Sequence, residues 1–287
     1  MSARLNTVVI TIARGRETHL HRQRLALAAD PPGHHVIVGM GETPALKDVP
    51  GAPPTVVLQV PVSPAGLPLA AARNAGAAEA RGLGAELLVL LDIDCIPEPG
   101  LLDRYAHAAT VCGHPALLCG PVAYLPPAGP DGYPVGRLAS LAGPHPARPV
   151  PPDRQLWPES RFELFWSLSF AMTVRDWSRL GGFCEEYTGY GGEDTDFALT
   201  ASAAGAYFYW VGGALAYHQH HPPSRGSSAH VAEIVRNAHT FHRRWGRWPM
   251  VDWLHELAAD GQVRFAPERS LLELGSGHHD VPATDFS

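Results

Sequence analysis

A chain of 287 residues suits one large α/β domain or two small ones, and either buries a substantial core. Its formal net charge of −6 argues against nucleic acid as the main partner, because a phosphate backbone calls for a basic face. The four cysteines, Cys95, Cys112, Cys119 and Cys184, form no C-x-x-C pair, so reduced thiols are expected.

In chain order, TVVITIA (7–13) is a β-branched run that predicts a strand. At about seven residues it is too short for a signal core or a membrane span, and no later run reaches the roughly 18 that a span needs. A soluble cytoplasmic protein is therefore expected. ETHLHRQRLALAA (17–29) follows with helical spacing at Leu20, Leu25 and Ala28, and Asp30-Pro31-Pro32-Gly33 stops it. HVIVGM (35–40) and TVVLQV (55–60) predict two more strands. Pro68 opens an alanine-rich helix that a glycine closes. ELLVLLDID (86–94) is a continuous apolar run, as in a strand buried on both faces.

Residues 125–158 are dense in proline and glycine and predict a long loop, functional or disordered. Beyond it, FELFWSLSFAMTV (162–174) is strand-like and TDFALTASAAGA (195–206) helical. YFYWV (207–211) and ALAYH (214–218) predict short strands. Ile234, Val235, Ala238, Phe241 and Trp245 form a helical stripe ended by Gly246. A second helix closes at Gly261, and the tail from Glu268 is expected to be loosely held. Strands alternating with helices predict a doubly wound, Rossmann-like α/β fold. Its central sheet is mostly parallel, helices cover both faces, and ligands sit at the carboxyl ends of the strands.

Asp92 and Asp94 flank one residue at such an end, where extended geometry aims both side chains the same way. Carboxylates aimed together repel unless a cation lies between them; a turn-forming Asp pair before Pro97 is the plainer alternative. Arg73 and Asn74, in the preceding helix, suit a phosphate and the positioning of that pair, or simply a solvated face. His218 ends its strand in phase with Ala214 and Ala216, which makes it the favoured metal-binding imidazole. His220 and His221 run into a Pro-Pro turn, and which of the three binds stays open. GYGGEDTDFA (189–198) gathers Glu193, Asp194 and Asp196 behind glycines that permit close backbone approach. Asp196, at the start of the next helix, suits a cap.

This order of motifs resembles the nucleotide-sugar glycosyltransferases of the GT-A fold, in particular the inverting family-2 enzymes and the galactosyltransferase C-terminal module. GGFCEEYTGYGGEDTD (181–196) follows their GGFDE-(F/Y)-G(W/Y)GGEDxD pattern, with Cys184 where Asp is usual and Tyr190 where Trp is common. Ala72-Arg73-Asn74 matches the helix before their DxD. The similarity spans residues 5–250 and is strongest over 181–221.

The resemblance implies a GT-A domain over 1–245 and a C-terminal helix and tail over 246–287. Within the domain, 1–124 would be the nucleotide-binding half, 125–158 the Pro/Gly-rich loop, and 159–245 the acceptor and metal half. Asp92, Arg73, Asn74, Glu42 and Ala13 would meet a UDP-sugar, with Asp92 on the ribose or sugar and Glu42 on the uracil or ribose. TIARGRE (11–17) departs from the family's P-T-Y-N-R, so contacts around Ala13–Arg16 differ from the family's. Asp94 and His218 would hold Mn²⁺ or Mg²⁺. Glu193 and Asp194 would be catalytic, with Asp194 as base, and Tyr190, Gly191, Gly192 and Trp166 would line the acceptor. Phe165 reads as core.

The implied activity is metal-dependent transfer of a hexosyl or N-acetylhexosaminyl group to a hydroxyl of a saccharide or small-molecule acceptor, with inversion. The ion offsets charge on the departing diphosphate, and a carboxylate on the other face takes the acceptor's proton. The alternatives are a retaining GT-A enzyme, a nucleotidyltransferase and a non-catalytic sugar-binding relative. A nucleotidyltransferase wants a Gly-rich phosphate loop that Ala13–Glu17 approximates poorly, and the retained DxD and Asp194 argue against loss of catalysis. A homodimer is left open.

Overall fold

The computed structural model describes residues 5–130, 132–134, 136–146, 148–222 and 228–275. The first part contains β1 (Thr7–Ala13), α1 (Glu17–Ala29), β2 (His34–Met40), β3 (Thr55–Val60), α2 (Leu69–Gly82), β4 (Leu87–Leu91) and β5 (Cys95–Pro97). The middle adds α3 (Leu101–Val111), β6 (Ala116–Cys119), β7 (Val122–Tyr124), α4 (Leu138–Leu141), β8 (Gly143–Pro144), β9 (Leu156–Glu159) and β10 (Ser169–Thr173). Then come α5 (Val174–Leu180), α6 (Glu193–Ala203), β11 (Tyr207–Val211), β12 (Ala216–His218), α7 (Ser228–Trp245), α8 (Val251–Ala259), β13 (Val263–Ala266) and β14 (Leu271–Leu274).

An eight-stranded sheet runs β3-β2-β1-β4-β10-β6-β11-β9. From β3 to β4 all neighbours are parallel; β6 and β11 share that direction, and β10 and β9 oppose it. The sheet is thus mostly parallel, as expected. Its inner strands are apolar without a break because both faces are covered. Val8, Ile10 and Ile12 pack with the alanines of α2 on one side, and Val9, Leu87 and Val89 pack with Leu102 and Tyr105 of α3 on the other. Gly76 sets the spacing of α2, since a Cβ there would lie 2.4 Å from Ile10 Cγ2. Arg73 is one turn before Gly76 on the same face, so this close approach lowers it toward the strand ends.

Several expectations need correction. In α1 the buried residues are Leu20, Gln23, Arg24 and Leu27, and Leu25 is 48 % exposed. Two polar side chains take inward positions because each finds partners there: Gln23 bonds Thr11, and Arg24 bonds the Lys47 carbonyl. The apolar run at 86–94 stops being a strand at Leu91, because the Cys95 N–H donates to the Asp92 carbonyl (2.9 Å) and closes a turn. Segment 162–174 is strand only from Ser169. The 125–158 segment holds α4, β8 and β9, and β9 pairs with β11 at the sheet edge. The tail is ordered where Leu271–Leu274 pairs with Val263–Ala266; residues 276–287 lie outside the described residues. Val231, Ile234 and Ala238 of α7 share a core with Leu254, Leu257, Val263 and Leu272, which runs across residue 245. No described helix is long and apolar enough to cross a membrane, and the cysteines are free thiols.

Candidate active site

The turn after β4 does not aim its two carboxylates together. Asp94 faces β12, whereas Asp92 faces α2. The turn is held from behind by Gln23, whose amide donates to the carbonyls of Asp92 (2.8 Å) and Cys95 (3.0 Å). Gln23 is itself fixed by the Thr11 hydroxyl (2.9 Å), which pairs with His35 Nε2 (3.0 Å). Burial pushes His35 down to about 3, so this relay is neutral.

Antiparallel pairing of β12 with β5 sets His218 opposite Cys95 and hence beside Asp94. The Gln219 N–H donates to the Asp94 carbonyl (2.7 Å) and locks that register. Asp94 Oδ1 is 3.5 Å from His218 Nε2, and Oδ2 is 3.4 Å from His221 Nε2. One ligand atom from each of the three lies within 4.8 Å of the others. A carboxylate with two imidazoles is an ordinary shell for a first-row divalent ion, and bonds of about 2.0–2.2 Å suit ligand separations of roughly 3–3.5 Å. The residues therefore fit a metal. Burial opposes ionisation of Asp94, yet the His221 hydrogen bond and the charges of His218 and Arg16 outweigh it and hold the carboxyl below its usual range. Burial lowers His218 against the pull of Asp94, whereas the hydrogen bond to Asp94 raises His221.

His221 thus joins His218 at Asp94, while His220 turns away and donates its backbone N–H to the Tyr133 hydroxyl. Arg16 is a second addition. It sits at φ 56° before α1 and reaches Asp94 Oδ2 at 2.5 Å. Neither signal was periodic; His221 follows the strand, and Arg16 depends on a left-handed backbone.

Across the cleft, Gly191 (φ 105°) and Gly192 (φ 88°) turn the chain into α6, whose first turn carries Glu193, Asp194 and Asp196. Carboxylates at a helix N-terminus are favoured by its dipole. Arg73, nearly fully buried, faces both carboxylate groups: Nη2 is 3.4 Å from Asp92, and Nη1 is 3.9 Å from both Glu193 and Asp194. Its role is to join the acidic turn to the DxD turn. Asp194 Oδ2 accepts from the Ser167 N–H (2.9 Å), and its Oδ1 is buried with no hydrogen bond among the described residues. Glu193 accepts from the Gly191 N–H (3.2 Å); burial and then the Asp194 charge push it up to about 8. Asp92 is raised to about 7 by burial, against the pull of Arg73.

Asp196 is no cap. Its Oδ1 accepts from Tyr187 Oη (3.2 Å), Arg244 Nε (2.7 Å) and Trp245 Nε1 (2.6 Å), and so ties α6 to α7. Asn74 is engaged away from the Asp pair, donating to the Phe183 carbonyl (2.9 Å) and Glu185 (2.8 Å). Glu42 accepts from the Gly15 N–H (2.6 Å), and Ala13 is buried at the end of β1. Phe165 is buried as expected. Trp166 and Tyr190 are 42 % and 44 % exposed, Trp166 under Arg148 and Tyr190 stacked on His230.

A family profile described as the N-terminal domain of galactosyltransferase matches residues 154–221, which include the acidic turn and both cleft histidines. Chondroitin synthase of Escherichia coli is 37 % identical over 71 residues, 25 % of this chain and 10 % of that protein. A solved structure of GalNAc-T7 with UDP, GalNAc and Mn²⁺ superposes with TM-score 0.52 at 14 % identity, covering 92 % of this chain and 61 % of that one, a likeness of fold. The chain spans a tenth of the first relative and about three-fifths of the second. The sheet order and the fold likeness give the chain the fold of the GT-A glycosyltransferases, and residues 154–221 are similar to a galactosyltransferase domain.

Proposed function

We propose that this chain transfers a hexosyl or N-acetylhexosaminyl group from a UDP-sugar to an acceptor hydroxyl, with a divalent metal and with inversion. The observation that carries the reading is that Arg73 bridges Asp92 to Glu193 and Asp194, while Asp94, two residues from Asp92, clusters with His218 and His221. UDP and Mn²⁺ in the GalNAc-T7 structure support the choice of nucleotide and ion.

Asp94, His218 and His221 would hold the ion, which would offset charge on the diphosphate. Asp92 and Arg73 would orient the donor's sugar and ribose, with Ala13 and Glu42 toward the base and Asn74 supporting the 183–185 loop behind them. Asp194 takes the acceptor's proton as its oxygen attacks the anomeric carbon and UDP departs from the opposite face. Glu193 hydrogen-bonds the acceptor, which lies against Gly191, Gly192, Tyr190 and Trp166.

Calorimetry with UDP tests the metal side. UDP binding that requires Mn²⁺ is expected, and it is lost in Asp94→Ala and in His218→Ala. Metal-dependent UDP binding that persists in both variants sinks the shell. Product anomeric configuration tests the stereochemistry, and retention of the donor's configuration overturns the base assignment.

A further inference from the structure

Several arginines near the cleft are paired with carboxylates. Arg104 meets Asp153, Arg154 meets Asp103, Arg161 meets Glu159 and Arg247 meets Glu163. Arg148 has no carboxylate within ion-pair distance among the described residues, and its Nη1 is buried without a hydrogen-bond partner. Its guanidinium lies 3.7 Å from the centroid of Trp166 and 5.2 Å from that of Trp210. Burial brings it down to about 10, outweighing the pull of the more distant Asp194 and Glu159. A half-buried charge with no ion pair is costly, and the carboxylate that lines the same groove, Glu159, is engaged by Arg161 at 2.9 Å.

Two concavities meet at this residue. The inner pocket is walled by Tyr124, His145, Trp166 and Trp210, and the Tyr124 ring lies 4.9 Å from that of His218 of the metal cluster, tilted by 31°. Ser167, next to Trp166, holds Asp194. The outer groove, about 470 Å³, is edged by Trp157, Pro149, Pro158 and Arg161 and is within the usual range for a small-ligand cleft. Trp157 is 43 % exposed. Exposed indole and proline surfaces around a central guanidinium suit sugar rings that bear an anion.

Resting on the transferase reading above, we propose that the acceptor is a saccharide carrying a carboxylate, and that Arg148 binds that carboxylate where the inner pocket opens into the outer groove. The planar fork of Arg matches a carboxylate bidentately, while Trp166 and Trp157 offer faces for the flanking rings.

The test is direct binding by NMR titration, with UDP and Mn²⁺ present, of methyl β-D-glucuronide and methyl β-D-glucoside, which differ at one carbon. The uronide is expected to bind about 10- to 100-fold more tightly, the range of one charge-assisted contact. Arg148→Gln is expected to abolish the difference, and Arg148→Lys to keep part of it, with melting temperatures of both variants checked first. Equal affinity for the two glycosides, or a preference that survives Arg148→Gln, overturns the proposal. So does a glucoside 6-sulfate that binds where the uronide does not. A loss of UDP affinity in Arg148→Gln moves the residue to the donor diphosphate and likewise overturns it. Failure of UDP to bind the wild-type chain refutes the transferase reading instead, and the two glycosides can still be compared without it.

Discussion

Asp194 has one oxygen held by a backbone N–H and the other buried, unbonded, 3.9 Å from Arg73. That asymmetry makes Asp194→Asn a clean probe, because the amide oxygen can keep the Ser167 contact while basicity is lost. Transfer is expected to fall by roughly 10²–10⁴, with UDP affinity kept; near-normal turnover refutes the base role. Its neighbour makes a different prediction. Glu193 is raised to about 8, so the folded chain holds that proton more tightly than the unfolded chain does. Stability from this group is fully present below pH 4.5 and is lost as the pH rises toward 8, levelling off above. Urea unfolding in EDTA at pH 5, 7 and 9 is expected to show a decline that is shallower in Glu193→Gln. An unchanged slope in the variant contradicts the shift.

At the scale of elements, α7 is fastened to the acidic turn by one oxygen. Asp196 accepts three hydrogen bonds at Oδ1, two of them from consecutive residues near the end of α7. Removing it strands Trp245 Nε1 and Tyr187 Oη, while Arg244, at 36 % exposure, can turn to water. The expected cost of Asp196→Ala is about 2–4 kcal/mol, a Tm loss on the order of 5–10 °C by calorimetry; a loss below about 2 °C refutes the anchoring. The same contrast explains what was legible. The bounds of β1 and α1 were readable because β-branched and helix-forming runs end at Gly, Asp-Pro and similar breakers. That Asp94 lies beside His218 was readable because both motifs are local. Gln23, Arg16 and Gln219 were not, and His221 could not be chosen over His220, since each acts through contacts with residues some 70 or more positions away, and no periodicity encodes that. Asp196 was misread as a cap because its partners lie 48 and 49 residues downstream.

For the molecule as a whole, the Pro/Gly-rich segment is weakly packed where it is described. Helix α4 buries none of its residues, and the described positions from 136 to 146 are mostly exposed. Arg137 precedes α4 and is exposed, while Arg148 is followed by Pro149, which blocks trypsin. Limited trypsin digestion is expected to cut first after Arg137, and UDP with Mn²⁺ to slow that cut. Cleavage at the same rate with and without ligand reduces the segment to a linker. The join made by Arg73 has a further consequence. One guanidinium balances Asp92 on one side and Glu193 and Asp194 on the other, the proposed donor and acceptor sides, and a ligand that draws it toward one set would weaken its hold on the other. Thermodynamic reciprocity then requires that whatever factor the donor imposes on acceptor affinity, the acceptor imposes on the donor's. On the proposed transferase reading, the two substrates would not be independent passengers: a single buried side chain would make the affinity of each a function of the other's occupancy.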